Sequence, residues 1–359
     1  MWWKRRAEAT PTAMAAPPMS FAAYAVRGLS SEKFFLVDLG CAGGIAPAWR
    51  VFGDRLGALA LDASVDECRR LASAEANPAV EYLAAFAGIS SSHPFSQRRH
   101  GREEASRNPW GRLSAARTAA QREAWLRGAS DAQKIRESLW YLTETSEKNQ
   151  VIVPQLLCER GVTSVDFLKI DTDGNDFAIL NSFDGAFDGL GILGALVEVN
   201  FGGGPDDTNR TFHNTDRFMK AQGFELFDLT QRRYSAAALP ARYELGIAAQ
   251  TGSGRILQGD ALYVRDWAAP YWEKPAAAAS PDKLLKLAIV FATFALLDCA
   301  AEILVRFRER LAGQIDVDRG LDLLAAEMQA GVEKPLSYRD YIAAFEADSP
   351  LFYPDGTKR

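Results

Sequence analysis

Histidine is scarce in this 359-residue chain: there are three, His93, His100 and His213. An imidazole base, the commonest proton carrier in catalysis, therefore has few places from which to act. Cysteine is nearly as sparse. The four, at 41, 68, 158 and 299, form no C-x-x-C pair, which argues against a zinc knot or a disulfide framework and fits a reducing compartment, with the cytoplasm as the expected location. There is no surplus of positive charge, since 41 Lys and Arg stand against 46 Asp and Glu for a formal charge of −5. General nucleic-acid binding is therefore not expected. A membrane-spanning run is also missing. LAIVFATFALL, residues 287–297 between Lys286 and Asp298, is too short for the roughly 20 residues a spanning helix needs. It reads as a buried or partner-packed helix, with a membrane-surface contact as the alternative. The opening MWWKRRAEATPTAMAAPPM has a basic cluster but no continuous apolar core, so it is a poor signal peptide. Residues 1–32 are expected to be a partly disordered leader with room for a short helix.

With 48% apolar and 24% charged residues, the chain can bury a sizeable core as one large domain with additions, or as two domains. FFLVDLG, GALALDAS, VEYLAAFAG, VDFLKID, ILGALVEVNF, GFELFDL and ALYVRD read as strands. Several are apolar on consecutive positions, as parallel strands covered on both faces are. The rhythm predicts an α/β fold, a doubly wound Rossmann-like sheet of about seven strands over residues 33–266. A basic helical insertion is expected over residues 89–150, because no ordinary connection is that long. From 97 to 136 it holds ten Lys or Arg against four acids, with Arg102, Arg107, Arg112, Arg117, Arg122 and Arg127 at intervals of five. Five residues turn a helix by about 140°, so these arginines spread around it. A solvated cap and a patch for an anionic substrate both fit. Residues 267–359 read as a helical extension, with Ser280 or Asp282 as a cap before Pro281.

The chemistry concentrates in two stretches. VDLGCAGGIAPAW places Asp38, Gly40, Gly43 and Gly44 at the carboxyl end of the first strand, where open parallel sheets bind their ligands. Ala42 stands where a dinucleotide fingerprint needs its second glycine, which weakens a nicotinamide reading. Asp62, twenty-two residues beyond Gly40, ends the second strand, where a carboxylate can accept hydrogen bonds from ribose hydroxyls; a turn or cap role is its plainer alternative. The second stretch, VDFLKIDTDGNDFAIL, sets Asp171, Asp173 and Asp176 around Gly174. Asp173 also reads as a helix cap, and Asp176 as a first-turn acid favoured by the helix dipole. Lys169 shares a sheet face with Asp171, and pairing with a neighbouring carboxylate is its bland role.

Together these stretches resemble the FkbM-type methyltransferases, a branch of the class I S-adenosylmethionine-dependent enzymes. VDLGCAGG is similar to their D-x-G-x-x-x-G motif, LALDASVDECRRL to their second-strand motif, VDFLKIDTDGNDFAIL to their K-I-D signature and LVEVN to their fifth strand. The resemblance covers about residues 33–266. It implies S-adenosylmethionine as cofactor, bound at Asp38, Gly40, Gly43, Gly44 and Asp62, and O-methylation of a hydroxyl on a saccharide or glycan-related metabolite. Asp171 is then the candidate for orienting donor or acceptor, directly or through a divalent metal, whose ligands would be Asp171 and Asp173. Glu198 and His213 join Asp171 as candidate bases, and YSAAALP, with Tyr234, is similar to a substrate-side loop.

Two other classes remain open on sequence alone. D-T-D-G also resembles the nucleophile motif of haloacid-dehalogenase-like phosphatases, although Asn175 replaces the usual Thr and Asp176 follows in place of an apolar residue. An inactive cofactor-fold scaffold is the other, with the basic insertion and the C-terminal helices as interaction or homo-oligomer surfaces. A calcium loop fits poorly, since an EF-hand needs its glycine sixth and here it is fourth.

Overall fold

The structure is a computed structural model that describes residues 19–30, 32–88, 150–172, 175–203, 210–235, 249–250 and 252–348. By internal packing these residues fall into two units. One is drawn from Met1–Phe34, Ala46–Leu56 and Asp266–Arg359, the other from Phe35–Ile45 and Gly57–Arg265.

The second unit is built on the expected α/β sheet. Its strands are β1 (Phe34–Leu39) and β2 (Leu56–Asp62), each with its first residue in the other unit, β3 (Val80–Ala84), β6 (Phe167–Ile170), β7 (Gly194–Asn200), β8 (Glu225–Leu229), β9 (Arg232–Ser235), β10 (Ala249–Gln250) and β11 (Arg255–Val264). They run in the order β10-β9-β11-β7-β6-β1-β2-β3, with β8 also paired to β11. All seven expected strands are present, and β9 and β10 bring the sheet to nine strands. The pairs β2–β3, β1–β6 and β6–β7 are parallel, whereas β11 runs antiparallel to β7, β8 and β9. VEYLAAFAG divides at Ala85, whose N–H still donates to Asp62 O and ends the β2–β3 ladder; beyond it, β4 (Phe86–Ala87) pairs in parallel with β5 (Gln150–Val151).

Register assigns the faces. Val37 and Leu39 lie beside Leu168 and Ile170, which lie beside Ala195 and Val197. This fully buried face forms one core with Val153 and Leu157 of α3 (Val153–Glu159), Phe177, Ile179 and Leu180 of α4 (Asp176–Asn181), Phe187 of α5 (Phe187–Leu190) and Met219 of α6 (Phe212–Ala221). Near β3 runs α2 (Val65–Ala74), whose N-cap Ser64 accepts from Glu67 N. Alternate residues of the same strands point to the opposite face, and there Asp38, Lys169 and Glu198 interrupt the apolar run.

The first unit is mainly helical, as expected for the C-terminal extension: α1 (Phe21–Val26), α7 (Glu273–Ala278), α8 (Pro281–Thr293), α9 (Leu297–Arg306), α10 (Arg308–Leu311), α11 (Val317–Met328) and α12 (Tyr338–Ala347). The first part of the apolar run lies in a buried helix, because every residue from Leu284 to Phe291 in α8 is buried, while Leu297 at its end already belongs to α9. Ser280 is its cap, accepting from Lys283 N at 3.1 Å. Asp282 is instead buried and accepts from the Ser30 hydroxyl at 2.5 Å. The helix stops at Ala295, a non-glycine residue with φ +60°. Among the described residues, no helix is long and apolar enough to cross a membrane.

Candidate active site

The tips of β1 and β6 meet. Asp171 N donates to Leu39 O at 2.9 Å, carrying the parallel ladder one residue past Ile170. Gly40 follows with φ +82°, and a Cβ there would lie 1.8 Å from the Asp171 carbonyl oxygen. Only glycine fits both the left-handed turn and that approach. Gly43 (φ +85°) and Gly44 (φ +89°) continue the turn. Gly43 has open space where a Cβ would point, whereas Gly44 backs onto Leu71. Gly40 N and Cys41 N both donate to Leu61 O, which joins the turn to the end of β2.

A row of charge crosses the sheet at this end. Asp38 lies beside Lys169 in register, and Glu198 lies opposite Asp260 of β11. Lys169 Nζ donates to Gly40 O at 2.6 Å and sits 3.2 Å from Asp38 Oδ1 and 3.7 Å from Asp171 Oδ2. Burial pulls the Lys169 ammonium down, but the carboxylates of Asp38 and Asp171 outweigh it and its pKa ends above the ordinary lysine value. Burial pushes the Asp38 carboxyl up, with Lys169 opposing. Despite the ion pair, Asp38 Oδ1 is buried without a hydrogen bond. Further along, Arg232 bridges two carboxylates, reaching Glu198 Oε1 at 2.5 Å and Asp260 Oδ2 at 2.9 Å. Glu198 is therefore an ion-paired residue, and the Asp171 side chain, 47% exposed, is the acid on this row most open to solvent.

Asp62 is buried and accepts from Ser64 N at 2.8 Å and from the backbone of Ala42. Its carboxylate thus closes the turn after β2 and clasps the glycine turn, while burial pushes its pKa up. Asp176 does lie in the first turn of α4, and it is also buried. Its Oδ1 accepts from Thr172 N at 2.6 Å and Thr172 Oγ1 at 3.0 Å, which fastens the loop after Asp171. Burial raises its pKa as well. Exposed His213 stands near the start of α6, with Nε2 3.5 Å from Thr211 Oγ1; Thr211 bridges to Asn200 at the end of β7. The Tyr234 hydroxyl donates to Gln258 Oε1 at 3.1 Å, and burial pushes its phenol up.

Asp173 and Gly174, His93 and His100, the six arginines spaced by five and the loop after Tyr234 lie outside the described residues. Among those described, no group of three or more His, Cys, Asp or Glu is arranged to hold a metal ion. Sequence reading missed Arg232 and Glu67. Arg232 opens β9, a strand that RRYS did not announce by apolar content. Glu67 carried a signal, the S-x-x-E capping box of Ser64, but its carboxylate reaches across to Gly43 N at 3.0 Å.

The site suits an adenosyl cofactor that carries positive charge. The Gly43 side of the turn is open, Asp62 ends the neighbouring strand beside it, and Asp38 adds negative charge beneath the turn.

Residues 110–226, about a third of the chain, match the family model described as Methyltransferase FkbM domain. This is the family that VDFLKIDTDGNDFAIL resembles, and the match includes Asp171, Glu198 and His213 but begins after the glycine turn and Asp62. It supports methyl transfer that depends on S-adenosylmethionine. No curated protein matches the chain. Among solved structures, a TehB-like SAM-dependent methyltransferase from Corynebacterium glutamicum is 10% identical, covering 69% of this chain and 89% of that one at a TM-score of 0.26. That likeness is too slight to argue from.

Proposed function

From the FkbM methyltransferase domain matched by residues 110–226, we propose that this protein is an O-methyltransferase that transfers the methyl group of S-adenosylmethionine to a hydroxyl of a saccharide or glycan-related metabolite. The observation that carries this reading is the meeting of the Gly40 turn, Asp38, Lys169 and Asp171 at adjacent strand tips.

Bound there, the cofactor supplies an electrophilic methyl on a sulfonium. Asp38, Gly40, Gly43 and Gly44 would hold its cationic end, and Asp62 its ribose hydroxyls. In-line displacement at a methyl group asks the protein chiefly to align the acceptor oxygen and exclude water. The acceptor must also lose a proton, and a positioned base contributes about 10²- to 10⁴-fold. Asp171 is our first candidate, because its carboxylate is partly exposed at the strand tip while Glu198 is paired with Arg232. His213, exposed near the end of β7, is the second candidate. Lys169, its pKa raised by the carboxylates around it, stays protonated beside Asp171.

The test is transfer of a labelled methyl group from S-adenosylmethionine to saccharide, lipid-linked glycan and small-alcohol acceptors, with and without Mg²⁺, beside a general phosphatase assay. Label in a saccharide or glycan supports the proposal. Mg²⁺-dependent phosphate release without methylation would support the phosphatase reading of D-T-D-G instead. Cofactor binding without either activity would leave a scaffold.

A further inference from the structure

Lys169 touches both parts of the proposed reaction centre. It donates to the carbonyl of Gly40, the pivot of the cofactor turn, and pairs with Asp38 behind that turn and with Asp171 beside it. Its side chain is 21% exposed, and two carboxylates and a carbonyl surround its ammonium. A lysine whose only task was to neutralise Asp38 would not need the Gly40 carbonyl, and one that only capped the turn would not need Asp171.

The geometry points to Lys169 as a positioning residue: it sets the Gly40 turn for the cofactor and the Asp171 carboxylate for the acceptor with one charge. This rests on the methyltransferase reading above. Two physical consequences follow. The Gly40 carbonyl is a fixed acceptor, so its hydrogen bond to Nζ holds the peptide plane whose left-handed turn opens the site. The Asp171 carboxylate, the more exposed of the two partners, is aimed by a cation at its base while water reaches its other side. Without Lys169, the Asp38 carboxylate would face Asp171 and Asp62 unopposed, both of which already push its pKa up. The turn would then spread.

The experiment is calorimetric titration of S-adenosylhomocysteine into the full-length wild-type protein and into Lys169→Met, Lys169→Gln and Ile170→Val, with ligand-free melting curves for each. Met keeps the stem and removes the charge. Gln can still donate a hydrogen bond and guards against failure of the Met variant to fold. Ile170→Val, on the opposite face of the same strand, is the control for plain loss of stability. Affinity should fall at least about tenfold in Lys169→Met, about 1.4 kcal/mol, and less in Lys169→Gln. Ile170→Val should bind as the wild type does even though its melting point drops. Wild-type affinity in both Lys169 variants, or an equal loss in Ile170→Val, would overturn the positioning role and leave the cofactor reading standing. A wild-type protein that binds no S-adenosylhomocysteine would overturn both.

Discussion

Lys169 at the end of β6 and Lys286 in α8 are both withdrawn from water, and their surroundings differ in kind. Lys286 is 1% exposed; it donates to Lys33 O at 2.7 Å, with Glu32 Oε2 at 3.5 Å. One turn earlier, Asp282 accepts from Ser30 N, the Ser30 hydroxyl and Gln314 Nε2. Backbone and neutral groups satisfy most of that helical cluster, and its one buried unbonded atom, Gln314 Oε1, is uncharged. Around Lys169 three carboxyl-bearing or carbonyl groups crowd one ammonium, a carboxylate oxygen of Asp38 is left unbonded, and Asp171 faces solvent. A buried charge with all its needs met locks a fold. A charge with one exposed carboxylate partner at a strand tip is the arrangement that our proposed site requires.

The most severe way to probe this contrast is Gly40→Val. The branched side chain would meet the Asp171 carbonyl and require φ +82° of a β-branched residue. We expect loss of more than about 4 kcal/mol of stability together with all S-adenosylhomocysteine binding, read by thermal melting and calorimetry. Asp171→Asn should separate chemistry from folding. The melting temperature should barely move because the side chain is half exposed, while kcat falls about 10²-fold, the loss a misplaced reacting group causes; steady-state kinetics on an identified acceptor reads it. Asp282→Ala is the complementary variant. It strands Ser30 and Gln314 at a cost of about 1–3 kcal/mol, seen in urea unfolding, yet S-adenosylhomocysteine affinity should be unchanged. If affinity fell in parallel with stability, the two clusters would not be separable as we describe them.

The smallest expected effect is a flat pH profile. Because the Lys169 pKa is raised, the stability it contributes is fully present below its unfolded value of about 10.4, and is lost only as pH rises through the still higher folded value. Melting curves and S-adenosylhomocysteine affinity should therefore show no transition from Lys169 between about pH 6 and 9.

Much of this arrangement was legible in the letters. The strands carry consecutive apolar residues and end in Gly or Asp, so their positions in the chain and the carboxyl-end position of Asp38, Gly40 and Asp171 could be read directly. The added strands β9 and β10 could not, because RRYS and AQ are short and depend on pairing with β11 or with each other. The candidate acids were visible as types but not as partners. Nothing in LVEVN shows that Glu198 meets Arg232, which is thirty-four residues later and two strands away in the sheet. Gly40 was read as room for a cofactor, and the structure adds a second reason, the Asp171 carbonyl against its α-carbon. Asp62 was weighed between turn and ribose, and its bond to Ser64 N shows that the turn role is present whatever else it binds. Long-range partners follow from register, which local sequence does not spell out.

The central claim is that the strand tips around Gly40 and Asp62 hold S-adenosylmethionine. Calorimetric titration of S-adenosylhomocysteine into wild-type protein and into Asp62→Ala tests it most directly. The account predicts saturable one-site binding in the wild type and at least a tenfold loss in Asp62→Ala, about 1.4 kcal/mol, with the variant still folded by circular dichroism. No binding in the wild type, or equal affinity in the two proteins, would contradict it.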